Sequence, residues 1–292
     1  MSSSYHPALD DPNAFVFYRY HPSLAAAIIF VIAFILTTSF HCHQCVRTKT
    51  WYFAPLIIGG ICQVLGYIGR AMSARDQWAL GPYIMQNLLL LIAPAFAAAS
   101  IYMVLGRIIL HADGERHALI GKRWLTKVFV TGDVVSLLAQ SGGGGYMAAG
   151  TLAAMRAGEK IVVFGLFVQL LFFGFFVAVS SLFYGRMRRE MRTAGRGAGM
   201  PGVAWRRHFA VLMAASLAIF VRSVFRVVEY VSGNDGFLLK HEVFLYVFDA
   251  CLMLAVMVLF NVVHPSGITE KLGGGYADTF KMYLRTDTES NA

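Results

Sequence analysis

Seven ionisable side chains fall within stretches of sequence otherwise apolar enough for hydrocarbon: Arg70, Asp133, Arg222, Arg226, Glu229, Glu242 and Asp249. A charge at the centre of a spanning helix costs about 3 kcal/mol on insertion scales, so each is a functional candidate by default. Their spacing groups them. Gln63, Tyr67 and Arg70 stand at i, i+4 and i+7, as do Glu242, Tyr246 and Asp249. Asp133, Ser136 and Gln140 stand at i, i+3 and i+7, and Arg222, Arg226 and Glu229 at i, i+4 and i+7. Such positions share one helical face, so four helices each carry one polar stripe. A carboxylate held in a low-dielectric interior binds an ammonium through a charge-assisted hydrogen bond. Glu229 is the expected chief cation partner, followed by Glu242 and Asp249. Tyr67, Gln140, Gln169 and Tyr246 are placed to serve a headgroup's hydroxyls. The competing reading makes Arg70, Arg222 and Arg226 the partners of these acids, in ion pairs that fix helix packing.

The elements that must position these groups are membrane spans. Of 292 residues 57% are apolar and only 14% charged, against roughly a quarter charged in a soluble domain, and the mean hydropathy is +0.59. A span needs about 20 mostly apolar residues. Seven stretches qualify, near 22–41, 51–72, 82–111, 124–145, 160–184, 208–232 and 241–263. In the third, Pro94 cannot donate to the carbonyl of Leu90, which predicts a kink. Ala95 and Ala97 to Ser100 would let a neighbouring helix approach closely. Gly142 to Gly145 predict unwinding at the end of the fourth.

Basic residues favour cytosolic loops. The first, third and fifth connections carry Arg47 and Lys49; Arg116, Lys122 and Arg123; and Arg186, Arg188, Arg189, Arg192, Arg196, Arg206 and Arg207. The other three carry little beyond Arg75, Arg156 and Lys240. The expected orientation is therefore N-terminus outside and C-terminus cytosolic. At about 1.5 Å per residue, Asp133 and Asp249 fall near mid-membrane, and Arg70, Gln140, Arg226, Glu229 and Glu242 nearer the outer face. Together the stripes describe a polar cavity in the outer half of the bundle.

Several function classes are disfavoured. The net charge of +9 arises from loop clusters of the kind that face an anionic leaflet, which argues against nucleic acid as a partner. Gly142 to Gly145 lack a following Lys-Ser or Lys-Thr, so they form no phosphate loop. Cys42, Cys45, Cys62 and Cys251 suggest no disulfide framework, and Cys42 and Cys45 suit palmitate or no modification. The N-terminal residues lack the basic region and apolar core of a cleaved signal peptide. His41, His43, His111, His117, His208 and His264 gather at cytosolic span ends. Of these, His41, His111, His208 and His264 are the candidates for a zinc or haem site, the alternative to a protein without a cofactor. A seven-span receptor is the further rival, although no arginine closely follows Tyr102 in the manner of a receptor switch.

Read in order, several segments resemble one family over 18–265. They are QVLGYIGR at 63–70, PAFAAASIYMVLGR at 94–107, DVVSLLAQSGGGG at 133–145, RSVFRVVEYVSGNDG at 222–236, HEVFLYVFDACLM at 241–253 and HPSG at 264–267. The chain is similar to the fungal lipid-translocating exporters, the resistance-to-aminocholesterol family. The resemblance implies seven spans, an outside N-terminus, and export or translocation of sphingoid bases. It also implies tolerance of amine-bearing sterols and, in one branch, protoporphyrin uptake. The chain departs from that pattern at Gln63, where an acidic residue is expected.

The sequence thus predicts an all-α, seven-transmembrane bundle over 22–265, an extracellular tail over 1–21 and a flexible cytosolic tail over 266–292. The expected function is translocation of cationic amphiphiles at the plasma membrane, with membrane lipids as partners and no enzymatic activity. The alternatives are a seven-span lipid sensor or receptor and a metal- or haem-binding membrane protein such as a zinc-dependent lipid hydrolase or porphyrin transporter. LFVQLLFFGFF at 166–176 would supply apolar walls for a lipid tail.

Overall fold

A computed structural model describes residues 18–112, 114–119, 122–147, 151–193, 204–232 and 236–267. The chain folds as seven long helices, with no strand among the described residues. They are α1 Leu24–Thr48, α2 Ala54–Ser73, α3 Leu80–His111, α4 Lys122–Met147, α5 Leu152–Thr193, α6 Ala204–Val231 and α7 Glu242–Val262. All seven predicted spans are present as helices. Most of 1–21 and of 266–292 lies outside the described residues, as does Arg196.

Consecutive helices pack side by side, α7 closes the ring against α1, and α3 reaches across to α6. The most buried of the apolar spans is α3, and the least buried is α1. Rings of Phe34, Phe53, Tyr67, Tyr102, Phe129, Phe173, Phe176 and Phe260 fill the interior. Outward-facing positions are apolar as well, such as Ile29, Ile32 and Leu36 on α1 and Phe164, Phe167 and Leu171 on α5. A surface of this kind is matched to hydrocarbon.

Six of the helices are long and apolar enough to cross a membrane; α4 is the exception. Its composition explains this. Lys127, Asp133, Ser136, Gln140 and a run of glycines lower its hydropathy, yet Asp133, Ser136, Gln140 and Gly143 turn inward. Its lipid-facing side still shows Val134, Val135 and Leu138. The predicted unwinding at Gly142 to Gly145 does not occur, and α4 continues to Met147. The reason is tertiary. A Cβ on Gly143 would lie 2.7 Å from the Gly158 carbonyl oxygen, and one on Gly158 would lie 2.5 Å from that of Gly143. The α4 and α5 backbones therefore approach too closely for any side chain between them, and that contact holds the helix.

Local signals set the other boundaries. Ser23 caps α1 by accepting from the Ala26 amide at 3.3 Å, and Lys49, at φ 55°, ends it in the left-handed conformation. The 42 residues of α5 extend about 63 Å, well beyond the 160–184 predicted for its span and about twice the hydrocarbon thickness. Its final turns carry exposed Arg186, Arg188, Arg189 and Arg192. Within α7, Tyr246–Cys251 is π-helical, between α-helical Glu242–Leu245 and Leu252–Val262. Such single-turn widenings are often found at functional sites.

Candidate functional site

Arg70 is the hub of a cluster at the end of the bundle where α2 finishes and α7 begins. The side chain is fully buried, and it is held from three directions. Nη2 donates to Glu242 Oε1 at 2.7 Å and to the Tyr20 hydroxyl at 2.8 Å, and Nε donates to the Tyr246 hydroxyl at 2.9 Å. The Tyr246 ring also lies 5.1 Å from the guanidinium carbon, within cation–π range. Glu242 accepts in turn from the Ser23 amide, at 2.9 and 3.0 Å to its two oxygens. The residue that caps α1 is thereby tied to the first turn of α7. Tyr18 donates to Gln86 Oε1 at 2.9 Å. Burial pushes the Tyr18 phenol up to about 12 and also raises Tyr20, so both remain neutral donors.

One turn deeper, the Tyr67 ring stacks on Phe30 and Phe34 with centroids 5.6 Å apart in each pair, and on Tyr246 at 6.2 Å. The Tyr67 hydroxyl and both amide atoms of Gln63 are buried without a hydrogen-bond partner among the described residues. Tyr67 lies within electrostatic reach of Arg70, Arg222 and Asp249, which links this cluster to the next.

The second cluster joins α3, α6 and α7. Arg222 donates to both oxygens of Asp249, from Nε at 2.7 Å and from Nη2 at 3.2 Å. The same Nη2 donates at 2.7 Å to the Leu90 carbonyl, which Pro94 leaves without its helical donor. Asp249 sits in the π-helical turn. Arg226 Nη1 pairs with Glu229 Oε2 at 2.7 Å on the same helix, and Arg226 lies over the Tyr230 ring at 5.3 Å. Arg226 Nε is buried without an acceptor among the described residues.

The stripe on α4 engages different neighbours. Asp133 Oδ2 accepts from the Tyr102 hydroxyl of α3 at 2.9 Å, while Oδ1 is buried without a partner among the described residues. Ser136 donates to the Gly165 carbonyl at 2.6 Å, and Gln140 Nε2 donates to Ser136 and to Gln169 Oε1 at 2.6 and 3.0 Å.

The structure brings three of the four stripes together and pairs the acids of two of them with arginines, as the competing reading expects. The stripes of α2, α6 and α7 form one linked network, whereas that of α4 packs against α3 and α5. The expected chief cation partner, Glu229, is 3% exposed and already paired with Arg226; Glu242 and Asp249 are paired with Arg70 and Arg222. Asp133 is the interior acid that takes part in none of the ion pairs among the described residues. Arg70 and Arg222 take up acids of α7, whereas Arg226 takes up the acid one turn along its own helix. Tyr20, Ser23, Tyr102 and the Leu90 carbonyl were not anticipated as site groups. Pro94 offered a signal for Leu90, because a vacated carbonyl needs another donor; Tyr102 offered none.

The histidines are otherwise engaged. His41 Nε2 donates to the Met257 carbonyl at 2.9 Å, and the Phe53 ring lies between His41 and His264, with centroids 5.7 and 5.5 Å away. His208 Nε2 lies 3.2 Å from the His264 carbonyl, and His264 Nδ1 accepts from the Ser266 amide at 3.3 Å. Among the described residues no three His, Cys, Asp or Glu side chains form a group that could hold a metal. The side chain of His111 lies outside the described residues.

Comparison to known sequences gives the family. The model of RTA1 like proteins matches residues 56–271. The chain belongs to the RTA1-like family. Protoporphyrin uptake protein 1 of Saccharomyces cerevisiae is 34% identical, over 96% of this chain and 98% of its own length. The probable lipid transporter atnI of Emericella nidulans is 28% identical over 86% of this chain and 68% of its own. The sphingoid long-chain base transporter RSB1 of S. cerevisiae is 25% identical over 84% and 72%. No solved structure matches the chain. This member of the RTA1-like family is an integral membrane protein, and its matched region spans all three polar clusters except Tyr18, Tyr20 and Ser23.

Proposed function

We propose that the protein translocates amphiphilic lipids bearing an ammonium group, sphingoid long-chain bases among them, across the plasma membrane. In this reading its N-terminus lies outside and its C-terminus in the cytosol, so the Arg70 cluster faces outward. Relatives named as a lipid transporter and a sphingoid long-chain base transporter support the substrate class. The orientation is supported by the lysines and arginines of the odd-numbered connections.

The observation that carries the proposal is the Arg226–Glu229 pair. It is buried, it rests on one hydrogen bond, and it joins residues one turn apart on α6 rather than two helices. Arg222–Asp249 and Arg70–Glu242 tie helices together, so releasing them would loosen the bundle. Arg226–Glu229 can open without that consequence. An incoming ammonium would displace the Arg226 guanidinium from Glu229, and because that guanidinium belongs to the same buried face the interior gains one positive charge, which a second group must offset. Tyr230 and Tyr67 are the nearby polar groups suited to a headgroup's hydroxyls. Apolar α5 residues such as Phe164, Phe167 and Leu171 present a lipid-facing track for the chain. The role is transport rather than catalysis.

The test is flip of a fluorescent sphingoid base in liposomes containing the purified protein, wild type against Glu229→Gln. Protein-dependent flip abolished in a folded variant is the expected result. Saturable binding by the wild type without flip would replace the translocator with a lipid sensor.

A further inference from the structure

The interior acids are treated unequally. Glu242, Asp249 and Glu229 each face an arginine at 2.7 Å. Asp133 is as deeply buried, at 3% exposure, midway along α4, and has no such partner. The groups facing it can be enumerated by helix. From α3 comes the Tyr102 hydroxyl, donating to Oδ2 at 2.9 Å. Behind that hydroxyl, the Tyr102 ring is enclosed by Phe129, Phe173 and Phe176, with centroids 5.4, 6.2 and 4.6 Å away. The polar groups that α5 presents to the α4 stripe are the Gly165 carbonyl and the Gln169 amide, both taken up by Ser136 and Gln140 and neither charged. On α4 itself the nearest basic residue is Lys127, exposed and drawn toward the Trp124 ring.

A lone carboxylate in such surroundings is neutralised either by a counter-ion or by a proton. The rings and the Tyr102 phenol leave no counter-ion in reach among the described residues. We infer that Asp133 is a proton-binding site, its carboxyl protonated in this conformation and exchanging that proton during the transport cycle. On release, the O–H bond of the carboxyl breaks and the proton passes to water. The carboxylate left behind keeps the Tyr102 hydrogen bond and offsets the positive charge that the amphiphile's ammonium brings to Glu229. One proton leaves as one organic cation enters, so the buried charge is conserved. Buried acids of this kind mark proton relays in transporters. The exchange rests on the translocator reading above; the protonated carboxyl does not.

Two measurements separate these statements. Infrared difference spectra of wild type minus Asp133→Asn, in liposomes at neutral pH, are expected to show a protonated-carboxyl C=O band that wild type minus Glu229→Gln lacks. Tyr102→Phe should move that band to higher frequency, because its hydrogen-bond donor is gone. Asp133→Glu retains a carboxyl and should shift the band without abolishing it, which covers the case in which the Asn variant does not fold. Absence of the band from the wild type would overturn the site. With the site established, a pH gradient imposed across the liposomes should accelerate wild-type flip at least several-fold and leave Asp133→Asn unresponsive. Equal response of the two proteins would sink the coupling. A protonated band without any flip would leave the proton site standing and remove the translocator.

Discussion

Arg222 Nη2 donates a 2.7 Å hydrogen bond to the Leu90 carbonyl oxygen, the one acceptor that Pro94 deprives of its helical donor. A proline within a spanning helix is tolerated only when a neighbour satisfies the group it frees. Here the neighbour is charged, and it is held in place by a bidentate contact to Asp249. Helices α3, α6 and α7 are thus joined at one guanidinium.

Arg222→Met should destabilise the protein by about 3–5 kcal/mol, the cost of leaving a buried acid without its partner. Arg222→Lys should fall between, since a single ammonium does not reproduce the planar fork that serves Asp249 and Leu90 together. In the lysine background, Pro94→Ala restores a donor to Leu90 and should recover about 1 kcal/mol, roughly one hydrogen bond. Thermal unfolding in detergent across the four proteins of this cycle measures the coupling. Additive effects would show that the carbonyl contact contributes nothing.

At Arg70 the expected order of effects follows from charge. Glu242→Ala removes the one acid that, among the described residues, pairs with this buried guanidinium and should cost about 3 kcal/mol, the low end of the range because Glu242 retains 16% side-chain exposure. Tyr20→Phe and Tyr246→Phe each remove one hydrogen bond to that guanidinium and should cost about 1–2 kcal/mol. Tyr20→Phe should also increase proteolysis ahead of α1, because the Tyr20 hydroxyl is one of the contacts that hold the chain over the bundle end. Unfolding curves together with limited digestion check both.

The fold was legible from hydropathy because a span is long, continuous and enclosed by lipid. Stripe periodicity also placed Arg70, Arg222, Asp249 and Glu242 on inward faces. Their pairings were not legible. Glu242, Tyr246 and Asp249 read as one stripe, yet Tyr246 and Glu242 turn to Arg70 on α2 while Asp249 turns to Arg222 on α6. The π-helical turn between them rotates the register, and no single residue type announces it. The four glycines of α4 misled for a related reason. Glycine weakens an isolated helix, but its lack of a Cβ allows the α4–α5 approach that stabilises this one.

The glycines themselves separate into two kinds, and substitution should expose the difference. Gly158→Val places atoms where a Cβ alone would meet the Gly143 carbonyl at 2.5 Å, a backbone group that cannot rotate away. A loss of about 1–3 kcal/mol or more is expected, with α4 the first helix to become accessible to protease. Gly142→Ala meets nothing within 4 Å and should gain stability, by up to about 1 kcal/mol of helix propensity. Thermal unfolding of the two variants side by side decides it; equal effects would mean that α4 and α5 do not cross at Gly143.

His264 supplies a pH test at the far end of the bundle, just beyond α7. Burial, reinforced by nearby His208, lowers its imidazole from 6.5 to about 4. The sign follows from linkage. The unfolded chain binds a proton below 6.5 that the folded chain refuses until about 4, so folding stability is complete above 6.5 and declines as pH falls through that window. His264→Gln retains an acceptor for the Ser266 amide and removes the titration. Its unfolding temperature should therefore fall less than that of the wild type between pH 6.5 and pH 4. His41, whose Nε2 is committed to the Met257 carbonyl, is present in both proteins, so the difference between the two curves reports His264 together with its coupling to His41 and His208. Parallel curves would place the acid sensitivity of the bundle elsewhere.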